Sequence, residues 1–249
     1  MKIVLATGSD LNYLNRINNY IDTIIKNSNF DENVLVYLGD EDVQINSDRI
    51  KLTKITPSSI LARNSINCLQ HGEFLYGKFF DGLNDNDVIV FTDGDMSLQR
   101  NLNEEEITFL KQFKDGDVYV GYNSSPTDTL YNESFRLGIT GPSFDDFNFD
   151  WKSIKIYNTG VLCMNKKTWG RLLEEYLKLY PKIDTMFGHY AKQQWLISFI
   201  IGTQDYKINE MPYHIHLHNH YEIPEGGMKD ENNIAYYNNK IVLFKHRWF

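Results

Sequence analysis

The 249-residue chain reads as an α/β protein, with a mostly parallel central sheet flanked by helices. Two observations predict this. Short runs rich in β-branched residues alternate along the chain with segments whose apolar residues recur at helical spacing. The most continuous run, Val88-Ile89-Val90-Phe91, leads directly into Thr92-Asp93-Gly94-Asp95. It therefore carries two acids at its carboxyl end, where open α/β sheets build their ligand crevices.

Met1 to Gly8 predicts the first strand, and its apolar stretch is too short for a signal h-region. Behind the capping candidates Ser9 and Asp10, the residues Leu14, Ile17, Ile21, Ile24 and Ile25 predict a helix ending near Lys26. Val34 to Leu38 and Ile50 to Ile55 predict strands, and Pro57-Ser58 opens a helix through Ile60, Leu61, Ile66 and Leu69. After the strand ending at Asp93, Ile107 to Phe113 predicts a short helix and Val118 to Tyr122 a strand. Asn123 to Asp150 is polar and without clear periodicity, as in a lid or binding surface. Tyr157 to Asn165 predicts a turn, at Asn158-Thr159-Gly160, combined with an apolar strand. The following helix carries Leu172, Leu173, Tyr176 and Leu177, and Pro181 is expected to stop it. Another helix runs from Gln193 through Phe199, and Ile241 to Phe244 predicts a last strand. Without repeats or linkers, residues 1–249 are read as a single domain.

A net charge of −8 argues against a nucleic-acid surface, and it leaves any anionic substrate in need of a metal or a local basic cluster. Cys68 and Cys163 have no framework or metal spacing, so a reducing compartment and a cytoplasmic location are expected. The apolar stretch around Trp195 to Ile201 falls far short of the roughly 20 residues that span a bilayer, so no transmembrane segment is predicted. The aromatic share of 14% includes many tyrosines, whose rings pack on sugars or bases while offering a hydroxyl.

Asp93 and Asp95 repel each other unless a cation sits between them. A hard divalent ion, Mn2+ or Mg2+, takes carboxylate oxygens and shares its other positions with substrate phosphate. Gly94 permits a close approach of backbone. A solvated Asp-Gly turn is the alternative. Late in the chain His246 offers an imidazole, and its neighbours Lys245 and Arg247 can hold phosphate, the arginine through its fork. His214, His216, His218 and His220 alternate, so in an extended segment they share one side. Their spacing lacks the tight pairs of structural zinc sites, which favours an ordinary exposed strand. Arg63 and Lys78, on or just after the helix before the acid-bearing strand, are further cations that could meet such a phosphate.

Four segments taken in order resemble the GT-A glycosyltransferases, a Rossmann-like fold, and specifically the glycogenin and galactosyltransferase type (family 8-like). Ala6-Thr7 and Tyr13 are similar to the edge that receives the nucleotide base. Phe91-Thr92-Asp93-Gly94-Asp95-Met96 resembles the metal-binding Asp-x-Asp segment. Asn158 and Gly160 look like the Asn-x-Gly strand lining the sugar site, and His246 like the histidine that completes the metal shell. The resemblance implies a metal-dependent enzyme moving a sugar from a nucleoside diphosphate donor, most simply a UDP-sugar, to a hydroxyl acceptor such as a glycan. It also implies a nucleotide-binding half, about residues 1–103, and an acceptor-binding half, about 104–249.

Two departures stand out. The family's acidic-Gln pair appears as Gln193-Gln194, which leans toward a retaining reaction; Asp145, Asp146, Asp150 and Asp184 are candidate bases should the reaction invert. The Gly-x-x-Lys-Pro-Trp ending is replaced by Lys245, Arg247 and Trp248. Two other readings stay open. Asp93-Gly94-Asp95-Met96-Ser97 is also similar to the haloacid-dehalogenase phosphotransferase motif, in which Asp93 would be a nucleophile. The missing acid at Gln193 would also suit a nucleotide-sugar binding protein without turnover.

Overall fold

A computed structural model describes residues 1–9, 14–39, 42–45, 47–55, 82–123, 125–136, 150, 152–184, 192–217, 228–231 and 234–246. β1 (Ile3–Ser9), α1 (Leu14–Asn27), β2 (Glu32–Leu38) and β3 (Lys51–Ile55) come first. β1 pairs with β2, and β2 with β3, in parallel. β4 (Val88–Thr92) then pairs with the opposite side of β1, again in parallel. Chain order thus reverses between β1 and β4, and the space beyond their carboxyl ends is a topological switch point.

Next come β5 (Met96–Leu98), α2 (Glu104–Leu110), β6 (Asp117–Tyr122) and α3 (Leu130–Arg136), then β7 (Tyr157–Asn165), α4 (Lys166–Asp184), α5 (Lys192–Thr203) and β8 (Lys207–Met211). The central sheet has the order β3-β2-β1-β4-β7-β6-β8. Of its described strands, β7 runs against the others. Both faces are covered. Ile89 and Phe91 pack with Trp169, Leu172 and Trp195 on the α4–α5 side. Val88 and Val90 pack with Ile17, Tyr20 and Phe244 on the other. A strand buried on both faces has no polar side to show, which is why Val88 to Phe91 is apolar without alternation.

The remaining strands are β9 (His216–Leu217), β10 (Met228–Glu231), β11 (Ile234–Tyr237), β12 (Lys240–Ile241) and β13 (Phe244–His246). β10, β11 and β12 form an antiparallel sheet, and β13 lies between β5 and β9. Asn238 and Asn239 both adopt positive φ, 48° and 61°. That is the left-handed pair a tight hairpin between β11 and β12 requires.

Several expectations change. The helix expected over Ile107 to Phe113 begins earlier, at Glu104, because Asn103 and Glu106 close a capping box on its first turn. Pro181 does not stop α4, which runs on to Asp184. A proline near a helix end removes one hydrogen bond from a turn that is already fraying. The polar stretch after Asn123 contains α3, and its residues 137–149 lie outside the described ones. The expected last strand is divided, Ile241 ending β12 and Phe244 opening β13. The histidine segment is not an exposed strand: His216 is 1% exposed, while His218 and His220 are outside the described residues. Among the described residues, no helix is long and apolar enough to cross a membrane.

Candidate metal centre

Asp93 follows the last residue of β4, and Asp95 precedes the first residue of β5. The turn between them presses against the end of β1. A Cβ on Gly94 would lie 3.1 Å from the Gly8 carbonyl oxygen and 3.2 Å from Ile17 Cδ1. Glycine is needed here for approach, not for an unusual φ. β13 supplies the third group. Its antiparallel register on β5 sets His246 opposite Met96 and Phe244 opposite Leu98. His246 therefore lands beside Asp95 from 151 residues further along the chain, the difference between the two residue numbers.

His246 Nε2 lies 3.7 Å from Asp95 Oδ1 and 3.9 Å from Asp93 Oδ2. One ligand atom from each of the three residues lies within 4.8 Å of the other two. A hard ion with bonds of roughly 2.1 Å can bridge donors up to about 4.2 Å apart, so the two histidine distances suit one shared ion. The set of two carboxylates and an imidazole also matches what Mn2+ or Mg2+ accepts, the nitrogen favouring Mn2+. Burial pushes the His246 pKa down, but the Asp93 and Asp95 carboxylates outweigh it and leave it raised. In the ion-free protein the two carboxylates that could face a cation thus favour the protonated imidazole.

The reversed direction of β7 brings its leading residues to the same edge. The Asp93 amide donates to the Gly160 carbonyl at 2.9 Å, and the Gly160 amide donates to Asn158 Oδ1 at 2.9 Å. The structure thus sets Asn158 and Gly160 beside the acid pair. On the other flank Thr7 and Thr92 are register partners at the ends of β1 and β4, and Tyr20 hydroxyl meets Thr92 Oγ1 at 2.7 Å. Ala6 is fully buried among Val4, Val34 and Val36. Thr7 is buried too, and its Oγ1 has no hydrogen-bond partner among the described residues.

Gln193 and Gln194 open α5. Gln194 Nε2 donates to Asn123 Oδ1 at 2.8 Å, tying the helix start to the residue just past β6. Ser198 Oγ donates to the Gln194 carbonyl at 2.7 Å and accepts the Tyr157 amide at 2.9 Å. Lys245 alternates with His246 along β13, so its side chain leaves on the other face of the pleat. Tyr13, Arg63, Lys78, Asp145, Asp146, Arg247 and Trp248 lie outside the described residues, as do the side-chain surroundings of Asp184. Asp150 is exposed.

Sequence reasoning missed Asn123, and of the four alternating histidines it expects one near the pocket without telling which. Asn123 ends a strand at the same sheet edge as Asp93, and that position was the available signal. His216 lies on β9, in parallel register with Phe244 of β13. Its ring centroid is 6.3 Å from that of His246. Alternating histidines do not reveal which one is buried. A phosphotransferase with Asp93 as nucleophile would carry its acids on the first strand; here they follow the fourth.

No protein-family model matches the sequence, and no curated protein matches it either. Solved structures do. The galactosyltransferase LgtC, in complex with donor and acceptor sugar analogues, aligns over 99% of this chain and 87% of its own, with a TM-score of 0.58 and 12% identity. An LgtC active-site mutant, glutamine to glutamate, aligns over 99% and 88%, with a TM-score of 0.57 and 11% identity. Strand order, the acid pair at the switch point and this likeness over almost the whole length agree: the chain has the GT-A fold of the glycosyltransferases.

Proposed function

We propose that the protein is a metal-dependent glycosyltransferase that moves a sugar from a nucleoside diphosphate donor, a UDP-sugar, to a hydroxyl of a glycan acceptor. The observation that carries this reading is the convergence of Asp93, Asp95 and His246 at the switch point of a GT-A sheet. Asp93, Asp95 and His246 would hold Mn2+, which would supply positive charge to stabilise the diphosphate leaving group. Asn158 and Gly160 border the sugar, and Gly160 leaves room beside the Asp93 carboxylate that any Cβ would take. Gln194 donates its Nε2 to Asn123 Oδ1, which leaves its Oε1 as the acceptor this side chain can offer. LgtC has an active-site glutamine, and a glutamine pair in place of an acid supports a retaining outcome. In this reading residues 1–103 receive the nucleotide and residues 104–249 the acceptor, within a single domain.

Incubation with UDP-sugars and Mn2+ in the absence of acceptor tests the reading. Slow, Mn2+-dependent release of UDP, lost in Asp95→Ala, is expected, and NMR of the glycoside formed once an acceptor is added reads the stereochemistry. Tight donor binding without release would instead identify a nucleotide-sugar binding protein. No binding of any nucleotide sugar, or turnover untouched in Asp95→Ala, overturns the assignment.

A further inference from the structure

We propose that a cavity on the α1 side of the central sheet, separate from the metal centre, binds a neutral oligosaccharide. The cavity measures about 1180 Å3. That exceeds the roughly 300–1,000 Å3 of pockets that hold one drug-sized molecule, so several sugar rings have space.

Its floor is a row of register partners running across four strands: Val90 on β4, Cys163 on β7, Tyr119 on β6 and Asn209 on β8. Phe109, Glu105 and Glu106 of α2 line it, as do His214 ahead of β9 and Leu243 and Phe244 at the start of β13. The Phe109 ring stands 4.9 Å from the Tyr119 ring at 64°, and Phe109 is 36% exposed. Aromatic walls of this kind pack on the apolar face of a pyranose. Among the described strands β8 is the last in the sheet order.

The chemistry of the rim selects the ligand class. Glu105, Glu106 and Glu210 line the cavity together with Arg100 and Lys240. Arg100 is already committed: it gives two N–H groups to Glu106 at 2.8 and 2.6 Å and its Nε to the Ile241 carbonyl at 2.8 Å. Glu210 is committed too, accepting from Lys155 Nζ at 2.6 Å and from the Tyr122 hydroxyl at 2.7 Å, so the rim keeps Glu105 against Lys240 and no net charge to draw a phosphate or carboxylate. An acyl chain would strand those carboxylates and the side chains of Asn101, Asn103 and Asn209 without water. Sugar hydroxyls both donate and accept, and so satisfy acids and amides alike. The Tyr119 hydroxyl, its pKa pushed up by burial, stays a donor.

The site also has a place in the reaction. β13 belongs to both regions, Phe244 lining the cavity and His246 standing two residues on at the metal centre. The carboxyl ends of β6 and β8 point to the same sheet edge as Asp93. Resting on the glycosyltransferase reading, the bound glycan is the remote part of the acceptor.

Calorimetry with maltohexaose, cellohexaose and chitohexaose, with and without UDP and Mn2+, tests the inference, alongside a thermal shift by UDP and Mn2+ on the same samples. At least one hexasaccharide binds the wild type. Phe109→Ala, at an exposed ring, weakens that binding at least tenfold and leaves the UDP–Mn2+ shift unchanged. Failure of all three sugars at millimolar concentration overturns the site, as does equal binding by Phe109→Ala, or binding of an alkyl detergent or an extended peptide in their place. Loss of UDP–Mn2+ binding with hexasaccharide binding kept overturns the transferase reading and not this one.

Discussion

The Asp93 amide donates to the Gly160 carbonyl at 2.9 Å beside the antiparallel pair of β4 and β7, so the backbone of the first acid is tied to the glycine opposite it. A Cβ on Gly160 would stand 2.9 Å from Asn158 Oδ1, 3.1 Å from Met96 Cε and 3.3 Å from Asp93 Oδ2. Gly160→Ala is expected to weaken Mn2+ binding about tenfold, ~1.4 kcal/mol. Titration calorimetry or the Mn2+ EPR signal measures it, and an unchanged affinity would show that the carboxylate tolerates the crowding.

Asp95→Asn keeps the shape of the side chain and removes one of the two charges that raise the His246 pKa. The imidazole of the ion-free variant should titrate at lower pH by NMR, and Mn2+ affinity should fall by more than about tenfold. If His246 titrates as before, Asp95 is not its electrostatic partner.

Protonation of His246 links stability to pH with a definite sign. Because its folded pKa is raised, the ion-free protein holds the full contribution below the ordinary value of 6.5 and loses it as pH climbs through the raised value. Mn2+ needs the neutral imidazole, so its affinity rises over the same window. Urea midpoints measured upward from pH 6.5 should fall without Mn2+, and with Mn2+ present the fall should be offset. His246→Gln should flatten both trends, and its failure to do so would assign them to other groups.

Ser198 is fully buried and joins α5 to β7 through its bonds to Gln194 and Tyr157. Ser198→Ala leaves the Tyr157 amide buried without its acceptor, at a cost of about 1–3 kcal/mol. A lower denaturant midpoint at constant m-value is expected. A loss well below that range would mean that water or a backbone shift replaces the hydroxyl.

The parts of this protein legible in sequence are those whose signal is local. Val88 to Phe91 announced a doubly covered strand because nothing polar interrupts it, and the acids behind it inherited a position from that strand. The capping box of Asn103 and Glu106 and the hairpin pair Asn238-Asn239 were equally local and were overlooked. Other features depend on partners far along the chain. His246 meets Asp95 only through the register of β13 on β5, and His216 is buried because β9 lies against β13 rather than in solvent. The cavity is likewise a product of alignment across four strands, which no single segment encodes.

All nine residues of β7 are buried, and this has a consequence for error. A slip by one position against β4 would move every side chain to the opposite covered face, where the packing is shaped for its neighbour. It would also seat Thr159 or Val161 where the glycine now faces the acid. Such a strand works as a ruler: the hydrophobic cost of misalignment guards the spacing of polar groups that contribute little to holding the fold together.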